Sequence, residues 1–131
     1  PAMSWVTLAL AGQRSLRLVG VHTTYPKKPD QHTQHFAQLF ESPLFDGRNG
    51  PVAVIGDFNA TPWSWRFNHF IRRHGLMRHG SGIVASWPST PLPLFLLDNV
   101  VTTPDVGAVS FHIGPDIGSD HRPLTATIAL P

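Results

Sequence analysis

Four apolar stretches of this 131-residue chain end abruptly in polar residues. Val19-Gly20-Val21 runs into His22, Val54-Ile55 into Gly56-Asp57-Phe58-Asn59, and Leu96-Leu97 into Asp98-Asn99, while Gly118-Ser119 delivers Asp120-His121 just before the final apolar stretch. Apolar strands that stop in this way set their polar residues at the rim of a sheet, where ligands commonly bind. Together the four ends supply three carboxylates (Asp57, Asp98, Asp120), two imidazoles (His22, His121) and two carboxamides (Asn59, Asn99). That set suits hydrolysis of a phosphate ester: a carboxylate for a hard cation, a base for water, and donors for the phosphoryl oxygens.

Each end also has a plainer reading. Asp57 and Asn59 lie two apart, so on an extended chain they point the same way, but the same pair makes an Asx turn that closes a strand. Asp120-His121 joins an oxygen ligand to an acid or base, and equally reads as a polar turn before a strand. Asp98 lies between Leu97 and Val100 in an apolar run, and a buried carboxylate needs a partner; a histidine across the sheet would serve. A lone His22 is more often a satisfied core histidine than a catalyst. The four ends in this order are far more specific than any one of them.

The elements that must hold these residues follow from periodicity. Residues 4–11 and 15–22 alternate as two strands around Gly12-Gln13-Arg14, an antiparallel hairpin. Residues 30–44 predict a helix with Phe36, Leu39 and Phe40 on one face. Val52-Ala53-Val54-Ile55 is an unbroken apolar run that suits a central strand buried on both faces. Thr61 and Pro62 fit the N-cap and first position of a second helix, with Trp63, Phe67, Phe70 and Ile71 as its core stripe, ending near Gly75. Residues 80–93 read as irregular, and 96–102, 106–112 and 124–130 as three further strands. Two helices and about six strands make a layered α/β or α+β arrangement, and the hairpins argue against an all-parallel sheet.

Composition narrows the remaining classes. The chain has room for a single domain, and its 13 prolines and 11 glycines imply short elements and substantial loops. Without cysteine it holds neither disulfides nor thiolate metal sites. Its longest apolar runs are broken by proline and too short to span a bilayer. The formal charge of +2 does not argue for nucleic acid by itself. Arg66, Arg72, Arg73 and Arg78 gather around the second helix, most simply as a solvated face, while Lys27 and Lys28 follow His22 where an anionic substrate would meet them.

GDFNATP at residues 56–62 and GSDHRPL at residues 118–124 resemble signatures of the endonuclease/exonuclease/phosphatase (DNase I-like) superfamily. VGVHTTYP and LLDNVVTTPD fit its intervening motifs in order and spacing, so the resemblance covers nearly the whole chain. Thr61 to Ser64 and the SWPS segment, residues 86–89, resemble a bacterial branch in which some members carry membrane helices ahead of the catalytic domain. The compartment is left open. The resemblance implies a four-layer sandwich, of which residues 1–131 are the C-terminal half: a mixed, mainly antiparallel sheet with helices on one face. It implies that Asp57 orients or deprotonates the attacking water and that Asn59 holds the phosphate and positions Asp57. Asp120 is then a metal ligand, His121 contacts the phosphate with Asp98 orienting it, and His22 contacts the scissile phosphate or assists the leaving group. Asp57 and the Asp98–His121 pair are both candidates for the base. The implied ion is Mg²⁺, with Mn²⁺ as a substitute.

The family domain is roughly twice the length of this chain, and its first half supplies an early asparagine and a glutamate that is the principal metal ligand. Neither has a counterpart here, since Glu41, the only glutamate, falls in the first predicted helix. The expectation is a soluble fragment of a metal-dependent phosphoesterase, weak or inactive alone, whose partners are a phosphoester substrate, the missing N-terminal half and, through an exposed sheet face, a second copy. The competing expectation is a non-catalytic module that keeps the fold and grips phosphate or protein.

Overall fold

The computed structural model describes residues 1–80 and 85–130, with the side chains of Gln13, Ala108 and Val109 left aside. Five strands form one mixed sheet in the order β1 (Ala2–Ala9), β2 (Ser15–His22), β3 (Val52–Asp57), β5 (Asp98–Thr102), β4 (Met77–Arg78). β1 and β2 are the expected antiparallel hairpin. β2 and β3 run parallel, joined by a crossover through α1 (Pro29–Glu41), and β5 lies antiparallel to both β3 and β4. β6 (Gly107–Ile113) and β7 (Leu124–Ala129) pair separately as a two-stranded sheet.

Strand alternation sorts the core into two clusters. Val19 and Val21 of β2, Val52 and Val54 of β3 and Val101 of β5 face the helices, where Phe36 and Leu39 of α1 and Phe67 and Phe70 of α2 (Trp65–His74) cover them. Leu16, Leu18 and Ala53 point the other way and meet Val106 and Ile128. Both helices therefore lie on one face, the small sheet lies on the other, and β3 is buried on both sides as its unbroken apolar run requires.

Two expectations about the second helix fail. Its N-cap is Ser64, whose Oγ accepts the Phe67 N–H at 3.2 Å, and not Thr61. The helix therefore begins beyond Trp63, which is 70 % exposed and is not core, while Phe67 and Phe70 are fully buried. The end is as expected: Gly75 takes the left-handed conformation (φ 62°) that closes a helix. α1 stops at Glu41, short of residue 44, because Pro43 cannot continue the backbone ladder; Ser42 and Asp46 instead cap two 3₁₀ turns. The expected irregular segment at 80–93 is irregular in its described part, which carries a single bridge from Trp87 to Phe95; residues 81–84 lie outside the described residues. Among the described residues no helix is long and apolar enough to cross a membrane.

Candidate active site

Sheet register sets the first three site residues in one row. His22 pairs with Asp57 across β2–β3, and Asp57 pairs with Asp98 across β3–β5. The row needs β3 to run close beside β2, and Gly56 makes that possible. A Cβ at Gly56 would come within 1.9 Å of the Val21 carbonyl oxygen, and its φ of 154° is one that side chains rarely adopt.

Beyond Asp57 the chain turns sharply at Asn59, which is buried and has φ 45°. Asp57 Oδ1 accepts the Asn59 N–H at 2.7 Å, and Oδ2 accepts the Asn59 side-chain amide at 2.8 Å. The Asx turn is therefore real, and it also fixes the carboxylate. The same amide donates to the Thr23 carbonyl at 2.9 Å, while Thr23 Oγ1 donates to the Phe58 carbonyl and Thr23 N–H to the Asp57 carbonyl. These bonds lock the polar end of β3 to the end of β2.

His121 comes from the loop before β7. Its Nδ1 donates to Asp98 Oδ2 at 2.7 Å, which leaves Nε2 facing Asp57 Oδ2 across 3.8 Å. Asp98 thus finds its histidine, from a loop and not from across the sheet. Buried Ser86 donates a second bond, 2.5 Å long, to the same carboxylate oxygen. His22 Nε2 lies 3.7 Å from Asp57 Oδ2 with its side chain 67 % exposed, so it is no satisfied core histidine. Asp57, Asp98 and His121 hold their ligand atoms within 4.8 Å of one another, a group able to hold a metal ion. Asp120 stands outside that group, exposed on the wall of the same cleft.

The loop carrying Asp120 and His121 is held by the SWPS segment. Ser89 N–H donates to the Asp120 carbonyl, Ser89 Oγ to the Ser119 carbonyl, and Arg122 N–H to the Ser86 carbonyl. The resulting cleft, about 550 Å³, is lined by His22, Thr23, Asp57, Asn59, Trp87, Asp120 and His121, among others. His35 of α1 also reaches it, its Nδ1 accepting the Thr24 N–H at 2.9 Å. Neither Lys27 nor Lys28 lines this cleft: Lys27 lines an adjoining groove, and Lys28 is the N-cap of α1. Glu41 lies elsewhere, at the end of α1, and pairs with Arg73 at 2.7 Å. Thr23, His35 and Ser86 were not marked as site residues by the sequence; Thr23 and Ser86 at least sit in motifs that were.

The electrostatics separate the two central groups. Burial raises the Asp57 pKa above the usual carboxylate range; the Asn59 N–H pulls it back in part, and the neighbouring charge of Asp98 pushes it further up. For His121, burial opposes the charged form, but the hydrogen bond and charge of Asp98, with Asp57 and Asp120 beyond, outweigh it and raise its pKa.

Residues 2–121 match the Endonuclease/Exonuclease/phosphatase family, and the chain belongs to it. Solved structures agree on the fold. An endonuclease/exonuclease/phosphatase from Bacteroides vulgatus superposes with a TM-score of 0.75 at 18 % identity, over 98 % of this chain and 55 % of its own. The human Nocturnin catalytic domain with bound sulfate gives 0.70 at 18 % identity, over 98 % and 53 %. A mannosyl-6-phosphatase from Bacteroides thetaiotaomicron gives 0.67 at 14 % identity, over 98 % and 57 %. The chain therefore spans little more than half the length of these DNase I-like relatives. No curated protein matches it significantly in sequence.

Proposed function

We propose that the chain carries the proton-transfer and phosphate-binding part of a divalent-metal-dependent phosphoester hydrolase. The observation that supports this most is the Asp98–His121–Asp57 arrangement: an imidazole oriented at Nδ1 by one carboxylate and presenting Nε2 toward a second carboxylate in an open cleft. With its pKa raised, His121 stays cationic further into neutral solution and stabilises charge on a phosphoryl oxygen. Asp57, held by Asn59 at both oxygens, is then the group placed to orient water and take its proton. Exposed His22, at the other side of Asp57, is free to meet the leaving group.

The donors present fit a hard cation in part. Asp120 offers a carboxylate with no hydrogen bond among the described residues, and it lines the same cleft as Asp57. Mg²⁺ bound there, or Mn²⁺ in its place, would polarise the phosphoryl group. Two carboxylates make a weak site, and the only glutamate is engaged with Arg73. We therefore assign the principal ligand to a partner half of the domain outside these residues, in keeping with a chain that spans about half of its structural relatives.

The test is a panel of phosphomonoesters and phosphodiesters with Mg²⁺ or Mn²⁺, run on this chain alone and on a longer chain that carries it. The expected result is little turnover alone and metal-dependent turnover in the longer chain, cut about a hundredfold or more by Asp57→Ala or His121→Ala. Robust turnover by the 131-residue chain would refute the incomplete site. An active longer chain indifferent to both substitutions would refute the assignment of the catalytic groups.

A further inference from the structure

Helix α1 brings a residue to the cleft that neither the carboxylates nor the loop of His121 accounts for. His35 stands three residues after His32 and four before Leu39, both buried, so it lies on the face of α1 turned toward the sheet. It is half-buried and lines the cleft beside His22, Thr24 and Tyr25. Its partner, the Thr24 N–H, follows a residue that is tied to the centre of the site. Thr23 donates its N–H to the Asp57 carbonyl, and its own carbonyl accepts the Asn59 side-chain amide at 2.9 Å. The imidazole and the Asp57 carboxylate are therefore held by one scaffold.

The direction of that bond fixes the chemistry of the ring. A backbone N–H only donates, so Nδ1 accepts at 2.9 Å and the neutral imidazole carries its proton on Nε2. Nε2 makes no hydrogen bond among the described residues, and it is not buried: the side-chain polar atom there that is both buried and unpartnered is His32 Nε2. Burial lowers the His35 pKa, and nearby positive charge, that of His22 included, lowers it further, which favours the neutral ring. With Nδ1 occupied and Nε2 protonated, the ring has no lone pair for a metal ion or for a proton taken from water. It also stands outside the Asp57, Asp98 and His121 group able to hold a metal. The bond to Thr24 alone would clip α1 to the end of β2, a task that needs only an acceptor. A clip leaves unexplained the accessible N–H on the wall of the cleft. Of the site residues, His22 is the one whose charge reaches His35, so the donor stands on the leaving-group side. An uncharged donor there suits an uncharged oxygen, such as a hydroxyl or carbonyl, better than a second phosphate.

We propose that His35 is a specificity-determining residue of the cleft, whose Nε2–H donates a hydrogen bond to an uncharged oxygen carried by the leaving group of the bound phosphoester. This rests on the phosphoester reading of the Asp57–His121 cleft, with His22 on the leaving-group side. A leaving group without such an oxygen would take the Nε2–H out of water and leave it unpaired, so the residue selects against bare alkyl esters.

The test compares glyceryl phosphate with propyl phosphate, esters of equal chain length that differ only in hydroxyl groups, each offered as the monoester and as the methyl diester. In a longer chain that carries these residues, kcat/KM is expected to be about tenfold higher for the glyceryl ester. His35→Leu should bring the two esters to parity. His35→Gln, which keeps an acceptor for Thr24 and a donor for the substrate, should restore most of the preference. Loss of a clip slows both esters alike, so a ratio that survives His35→Leu overturns the proposal, as does parity in the unaltered chain. Nitrogen NMR of the imidazoles in the 131-residue chain reads the tautomer independently, and a protonated Nδ1 on His35 at pH 8 overturns it too. Turnover of neither ester would refute the phosphoester reading instead. The His35 ring signals then decide the proposal by themselves: a shift on adding the glyceryl ester but not the propyl ester supports it, and an equal response to both, or to neither, overturns it.

Discussion

The geometry of the candidate site turns on one carboxylate oxygen. Asp98 Oδ2 accepts from both Ser86 Oγ and His121 Nδ1, so its charge is committed to aiming the imidazole. Because His121 titrates above its ordinary value, the stability gained from protonating it is complete below about pH 6.5, its unfolded pKa, and is lost as pH rises through the higher folded pKa. Asp98→Asn should therefore move the His121 titration downward, as followed by histidine NMR, and its cost in urea unfolding should be larger at pH 6 than at pH 9. An unmoved titration would remove Asp98 as the orienting group. The main partners were legible in the sequence because each lies beside the end of an apolar run: GDFN, LLDN and SDH advertise themselves. Ser86 and Thr23 were not, because their roles rest on bonds to Asp98 and Phe58, 12 and 35 residues away, and a serine or threonine alone carries no sign of such a contact.

Among the elements, the parallel pairing of β2 with β3 sets His22 beside Asp57, and Gly56 is the narrowest point of that pairing. Gly56→Ala should destabilise the chain by about 3 kcal/mol, read from the shift of the urea midpoint, because the added methyl group meets the Val21 carbonyl and not a flexible side chain. An unshifted midpoint would mean that the strands can separate locally without loss. The strands and α1 were readable from alternation and helical spacing. α2 began late because Thr61-Pro62 and Ser64 are both good starts, and only packing of Phe67 and Phe70 against Phe58 decides between them. The two-residue β4 is too short for any periodicity to show, and exists only because β5 offers an edge to pair with.

The whole molecule is finished on one side and open on another. The helices cover one face of the main sheet, whereas every residue of β1 is exposed, Trp5, Val6 and Leu8 among them. An edge strand of this kind is a template for pairing, so sedimentation equilibrium should show concentration-dependent self-association that Val6→Lys reduces. A clean monomer at high concentration would leave β1 without that role. The chain spans about half the length of its structural relatives. The register between β2 and β3 also ties the length of one strand to that of the other. Six successive pairs link the strands from Arg17 and Val52 to His22 and Asp57, so the histidine and the aspartate sit at the top of two ladders of equal height. Inserting or deleting one residue in either ladder alone would throw the two out of step. The two side chains therefore stay side by side only while both ladders keep the same number of rungs beneath them.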